Sequence, residues 1–232
     1  MKIAVMSDIH GNITALEAVL EDIKKRDVDT MVCLGDLVGY GPFPNEVIDL
    51  IRKENILVIM GNYDAAVVSN DIKYIQDNEL NRNFALPWSV NEVNEKNKKY
   101  LKRLPEDITV VDKGRVITFV HGSTRKINEY LKENSKEAQE VMESYDREVL
   151  VCAHTHVPYE KKYGEKLLVN DGSVGKPKIG RPNCTYSILT CDENTVDVEM
   201  VEVPYNYEKI IKAMEERNFP EKLIESIRTG NA

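Results

Sequence analysis

Cysteine is scarce in this sequence and poorly spaced for chemistry: there are four, Cys33, Cys152, Cys184 and Cys191, with no CxxC pair among them. That excludes a zinc ribbon or a thioredoxin-type redox motif. The two that interrupt the apolar runs TMVCLG and VLVCAH read as buried, reduced thiols. Long hydrophobic runs are missing too. No stretch reaches the roughly 18 apolar residues of a membrane span, and no apolar signal segment precedes the opening KIAVM, so the expectation is a cytoplasmic protein with no membrane partner. There is no excess of positive charge either: 31 Lys and Arg stand against 39 Asp and Glu, a formal net charge of −8. Such a chain is not expected to track an extended nucleic-acid backbone, and an anionic ligand has to be attracted locally. With no internal repeat or low-complexity linker to mark a boundary, one unit over 1–232 is expected.

What is present is an ordinary globular composition, 42% hydrophobic and 30% charged, arranged as an α/β alternation. β-type runs occur at KIAVMSD, TMVCLGD, ILVIMGN, RVITFVHG and EVLVCAHTH, and helix-like segments separate the first three. One helix is expected from Asn12 to Arg26, with Asn12 as N-cap and a stripe of Ile13, Leu16, Val19, Leu20 and Ile23. A shorter one is expected from Asn45 to Lys53. The polar, Asn-rich stretch over 65–113 reads as an inserted helical cap, and a charged helix is expected from Lys126 to Tyr145. Beyond it, KLLVND, CTYSILTCD and TVDVEMVEV alternate as antiparallel strands of a second sheet would, and 206–229 reads as a helical hairpin broken at Asn218–Pro220.

The apolar runs share one habit: they end in residues that can bind cations. Asp8 and His10 follow the first, Gly35-Asp36 the second, Gly61-Asn62 the third, His121-Gly122 the next, and His154 with His156 the last. Ligands of open α/β sheets gather beyond the carboxyl ends of strands, and residues i and i+2 of an extended segment point the same way. All four histidines of the chain fall in this set. Carboxylate and amide oxygens mixed with imidazole nitrogens suit Mn, Fe, Zn, Co or Ni, with Mg also admissible, better than Ca. Seven such side chains match two divalent ions sharing a carboxylate.

The ordered series D-x-H, GD, GN, H and HxH resembles the signature of the calcineurin-like metallophosphoesterase superfamily, over Met1 to about Gly175. The resemblance implies a four-layer αββα sandwich of two mixed sheets. It assigns one metal to Asp8, His10, Asp36 and His156 and the other to Asp36, Asn62, His121 and His154, with Asp36 bridging. It also implies catalytic roles for Asp36, Asn62, Tyr63, Asp64 and His121 in hydrolysis of a phosphate ester by in-line attack of a hydroxide shared by the two metals.

Two departures narrow the class. The third motif reads GNYD, with Tyr63 where many members carry a histidine acid, and GDLVGYG lacks the arginine of the phosphoprotein phosphatases. Tyrosine, with an ordinary pKa of about 10, is a poor acid near neutrality. The layout is therefore most similar to the small bacterial and archaeal phosphodiesterase branch, with a small phosphate ester or nucleotide as substrate. Phosphomonoesterase or nucleotide pyrophosphatase activity stands as the alternative, and a metal-binding, non-catalytic interaction scaffold as the alternative of another class. Further candidates are a backbone nest at Gly172–Gly175 in NDGSVGKPK, the cations Arg125, Lys176, Lys178 and Arg181, and the segment Phe84–Trp88, read as shaping the pocket, as packing or as an oligomer contact.

Overall fold

The computed structural model describes residues 1–193 and 195–231; Asn194 and Ala232 lie outside them. The chain opens as β1 (Lys2–Met6), α1 (Ile13–Ile23), β2 (Thr30–Cys33), α2 (Pro44–Lys53) and β3 (Leu57–Val58). Asn12 caps α1 by accepting from the Ala15 amide, and the buried stripe is the expected one. A helical stretch follows: α3 (Asn62–Ser69), α4 (Leu86–Glu92) and α5 (Glu95–Leu101), with a 3-10 turn at Ile72–Tyr74 and a π turn at Asn81–Ala85. The second half runs β4 (Asp107–Asp112), β5 (Arg115–Val120), α6 (Lys136–Ser144), β6 (Val149–Cys152), β7 (Tyr159–Tyr163), β8 (Lys166–Asn170), β9 (Cys184–Cys191), β10 (Val196–Val203), α7 (Tyr207–Glu216) and α8 (Glu221–Thr229).

These strands make two five-stranded mixed sheets, ordered β10-β9-β1-β2-β3 and β4-β5-β6-β8-β7. Alternate residues of each strand sort into two cores. Ile3, Val5, Val32 and Leu34 meet Ile117, Phe119, Val149, Val151 and Val169 between the sheets. Ala4, Met6 and Cys33 face outward against Leu16, Val19 and Leu20 of α1 and Val47, Ile48 and Ile51 of α2. On the far side, Leu150, Cys152 and Leu168 pack on Ala138, Val141 and Met142 of α6. The result is αββα. Sheets covered on both faces explain why the strands read as unbroken apolar runs, and each fully buried Leu, Ile or Phe contributes about 1.5–3 kcal/mol.

Four expectations are corrected. The pair β9 and β10 belongs to the first sheet, because β1 uses only one edge on β2 and its other edge takes β9 antiparallel, Ile3 opposite Leu189. In the second sheet β8 runs parallel to β6, not antiparallel. The polar stretch is helical only to Leu101: 107–112 is a strand, folded onto β5 by a turn in which Lys113 and Gly114 both take positive φ, 50° and 81°, the geometry two-residue hairpins require. The helix expected over 126–145 begins only at Lys136, where Ser135 caps it by accepting from the Ala138 amide. Phe84 and Trp88 pack edge-on against Phe219, so this segment docks the C-terminal hairpin and does not line the cavity described below.

Candidate metal centre and active site

The parallel strands of both sheets deliver their carboxyl ends to one place, and the connections that follow carry the candidate ligands. Alternation along a strand is not what aims them. Asp8, His10, Asp36, His154 and His156 all lie beyond the last strand residue, in left-handed conformations with φ of 50°, 49°, 53°, 67° and 62°. Such positions cost about 1–3 kcal/mol each and persist only where the surroundings over-determine them. The surroundings do so here. The amides of Asp8 and His10 donate to the carbonyls of Gly35 (3.1 Å) and Asp36 (2.9 Å), while Gly175 N–H and Ser173 Oγ donate to Asp8 O at 3.0 and 2.8 Å. The loops after β2 and β3 touch backbone to backbone at Gly35 and Gly61. A Cβ on Gly61 would overlap the amide nitrogen and carboxylate of Asp36, so only glycine permits this approach.

Two buried triads result, Asp8–His10–His156 and Asp36–His121–His154. Asp36 faces both: its Oδ2 lies 3.7 Å from His10 Nε2 and 3.6 Å from His121 Nε2. Backbone carbonyls set the imidazole tautomers, since Nδ1–H of His10 donates to Val38 O (2.9 Å), that of His121 to Leu34 O (2.7 Å) and that of His156 to Lys176 O (2.6 Å). Their Nε2 lone pairs are thereby turned inward. His10 Nε2 then confronts His156 Nε2 at 3.3 Å, and His121 Nε2 confronts Asn62 Oδ1 at 2.8 Å, the Asn62 amide group being held by donation to Tyr74 O (3.0 Å). Acceptor facing acceptor is repulsive unless a cation stands between. Asp8 Oδ1 and His154 Nε2 are buried with no hydrogen-bond partner among the described residues. The donor set and these orphaned atoms fit divalent transition metals.

The electrostatics agree. Burial pushes His156 down to about 4, lowers His121, and lowers His154 far below its ordinary value, so these imidazoles are neutral at pH 7, the form able to ligate a metal. Burial, then the Asp8 and Asp64 charges, push Asp36 well up. For Asp8, burial works upward too, but the facing His156 and His10 hold it well below the usual carboxylate range. Carboxylates forced together in this way are relieved by cations.

The other expected residues sort differently. Asp64 is driven up to about 6 by burial, but its oxygens accept from the amides of Gly61 (3.0 Å), Leu37 (3.0 Å) and Val38 (3.3 Å), which locks the loop carrying Asp36. Tyr63 donates its amide to Asp36 Oδ1 (2.7 Å) and its hydroxyl to Asn81 Oδ1 (2.7 Å). The loop at 172–175 is no anion nest: the amides of Gly172, Ser173, Val174 and Gly175 all bond within the protein, the last two bracing the Ser7–Asp8 backbone. Arg125 is engaged with Glu129 and Glu140, and Arg181 with Glu202, and neither lines the cavity.

That cavity, about 230 Å³, is lined by the candidate ligands Asp36, Asn62, His154 and His156, by Lys176 and Lys178, and by a set of tyrosines, Tyr40, Tyr63, Tyr74 and Tyr130. Tyr130 stacks on His154 with ring centroids 4.0 Å apart. It went unseen in the sequence because its segment reads as helix, and a tyrosine on a helical stripe carries no signal. Also unseen is the Ser7 hydroxyl, 2.9 Å from both Asp8 Oδ2 and Asp171 Oδ1. Burial, then the Asp8 charge, push Asp171 well up.

An αββα sandwich with a buried, carboxylate-linked pair of Asp/His triads at its strand ends defines a candidate metal-binding protein. The chain belongs to the calcineurin-like phosphoesterase superfamily, whose domain matches residues 1–194. It is 34% identical to the uncharacterized protein MJ0912 of Methanocaldococcus jannaschii over 98% of both chains, and 27% identical to the phosphodiesterase YfcE of Escherichia coli K12, over 83% of this chain and 89% of that one. Among solved structures, a metallophosphoesterase from Sphaerobacter thermophilus superposes with a TM-score of 0.82 at 31% identity, covering 99% of this chain and 100% of that one. The hypothetical protein PH1004 from Pyrococcus horikoshii shares the fold with a TM-score of 0.88 at 24% identity, over 100% of this chain and 99% of that one. Among the described residues no helix is long and apolar enough to cross a membrane.

Proposed function

We propose that this chain is a two-metal phosphodiesterase. The observation that carries the reading is the position of Asp36 Oδ2, 3.7 Å from His10 Nε2 and 3.6 Å from His121 Nε2, where one carboxylate serves both triads. Asp8, His10, Asp36 and His156 would hold one divalent ion, and Asp36, Asn62, His121 and His154 the other, drawn from Mn, Fe, Co, Ni or Zn. Bound there, the ions supply Lewis acidity for water activation and charge neutralisation at phosphorus.

The protein's own groups do the rest. The backbone carbonyls of Val38, Leu34 and Lys176 keep three imidazoles in the ligating tautomer, and Asp64 holds the Asp36 loop in register. Lys176 and Lys178 provide positive field in an otherwise acidic chain. Tyr63 braces the site: burial, reinforced by Tyr40, raises its hydroxyl far above neutrality, and the proton it carries is directed at Asn81. With Tyr63 unable to serve as acid for the leaving oxygen, the site favours substrates whose departing group is a stable anion, and the likeness to the phosphodiesterase YfcE ranks diesters ahead of monoesters.

The test is to strip the protein of metal, restore Mn, Ni, Co, Zn or Mg one at a time, and compare bis-p-nitrophenyl phosphate with p-nitrophenyl phosphate. Metal-dependent turnover favouring the diester is expected. Preference for the monoester overturns the phosphodiesterase assignment, and stoichiometric metal without turnover overturns the enzyme.

A further inference from the structure

Lys176 is the only lysine or arginine in the buried set of the described residues, at 7% exposure, and its ammonium makes no hydrogen bond or ion pair with them. It lies 5.1 Å from the Tyr40 ring centroid and lines the metal-side cavity together with Lys178. Both are fixed relative to the centre by backbone: His156 Nδ1–H donates to Lys176 O (2.6 Å), and Lys178 N–H donates to His156 O (3.0 Å). The contrast with Arg125 and Arg181 is direct, since those two are paired with glutamates and stand away from the cavity. A cation with a buried stem and a head set over an aromatic ring, with no carboxylate paired to it, is free to take an anion from the cavity.

We propose that Lys176 and Lys178 form a subsite for a phosphate carried by the departing half of the substrate, so that the linkage cleaved is a phosphoanhydride. The inference rests on the phosphoesterase reading and narrows it. Three observations converge. Both lysines line the same cavity as Asp36, Asn62, His154 and His156, so a phosphate held by them would adjoin a phosphoryl group held by the candidate metal ligands. A departing phosphate, with a second pKa of about 6, leaves as an anion and requires no proton donor, which matches a site whose Tyr63 hydroxyl is spent on Asn81. The cavity, about 230 Å³, falls below the roughly 300–1,000 Å³ of pockets that enclose a drug-sized ligand, so recognition is concentrated on phosphates, with any attached ring lying along Tyr74 and Tyr130. In the step, water oxygen bonds to the attacked phosphorus and the bridging P–O bond breaks. The electron pair stays on the departing phosphate oxygen, and one proton from the water passes to solvent.

A matched pair of substrates tests this: the p-nitrophenyl ester of thymidine 5′-monophosphate, and thymidine 5′-triphosphate cleaved between its α and β phosphates. Both present the same thymidine phosphoryl group, and only the second departs as a phosphate. In the metal-loaded protein, Lys176→Gln and Lys178→Gln are each expected to lower kcat/KM for the triphosphate about 10- to 150-fold more than for the nitrophenyl ester, the range of one charged hydrogen bond. Lys176→Arg should recover most of the loss. Inhibition by inorganic pyrophosphate should weaken in parallel in the Gln variants, a readout independent of turnover of either substrate. Equal losses on the two substrates, or unchanged pyrophosphate inhibition, overturn the subsite. A wild-type protein that cleaves the ester but not the triphosphate also overturns the subsite while sparing the phosphoesterase reading; hydrolysis of neither with any metal overturns both.

Discussion

Replacing Asp36 with asparagine perturbs the centre with almost no change in shape, and the structure dictates opposite effects with and without metal. In the metal-free protein Asp36 is pushed upward by burial and by the Asp8 and Asp64 charges. An acid whose folded pKa is raised weakens the fold above that pKa, and the penalty is relieved as pH falls through it. The Asp36→Asn substitution removes the penalty at pH 7, while the amide oxygen it introduces can still accept the Tyr63 N–H now bonded to Asp36 Oδ1 at 2.7 Å. The metal-free variant should therefore melt at or above metal-free wild type. With metal the order reverses. An ion at a hundredfold excess over its Kd stabilises by about 2.7 kcal/mol, so two contribute about 5 kcal/mol; at about 2–4 °C per kcal/mol for a chain of this size, wild type should gain about 10–20 °C. The variant presents a neutral amide to both triads and should forfeit at least half of that gain. Differential scanning calorimetry in chelator and in Mn measures both quantities. A variant that loses stability without metal, or shows the full wild-type gain with it, refutes the shared-carboxylate reasoning.

Other outcomes follow from the same geometry. Tyr63→Phe should change kcat on an activated diester less than about threefold, because the hydroxyl proton is directed at Asn81; a fall of about 100-fold or more would make Tyr63 the acid. Gly61→Ala drives a Cβ into Asp36 and should cost about 2 kcal/mol or more, with metal content reduced in the folded fraction, read by denaturant titration and elemental analysis. His156, held at about 4 by burial against an ordinary value near 6.5, gives metal-free protein a contribution that is intact above pH 6.5 and lost as pH falls toward 4, about 3 kcal/mol in all. The difference in unfolding free energy between wild type and His156→Gln across that window measures it, and a pH-independent difference contradicts it.

Much of the centre was legible because its residues are chemically unusual where they stand: an imidazole or carboxylate closing an apolar run has few other uses, and every histidine of the chain does so. The means of convergence was not legible. Same-side alternation explains nothing here, since five of the side chains sit on left-handed residues past the strand ends, and φ is not written in a sequence where the residue is not glycine. The return of β9 to the free edge of β1 was equally hidden, because alternation says which face of a strand is buried and is silent on which edge pairs. In the sequence Asp171 is one more polar residue of the NDGSVGKPK loop. Only the three-dimensional neighbours show it backing Asp8 through Ser7.

Diffraction from crystals grown with Mn, recorded with the metal's anomalous signal, tests the central claim most directly. The account predicts two peaks per chain, about 3.5–4 Å apart, one against Asp8, His10 and His156, the other against Asn62, His121 and His154, with Asp36 touching both. A single peak, or two that do not share Asp36, contradicts it.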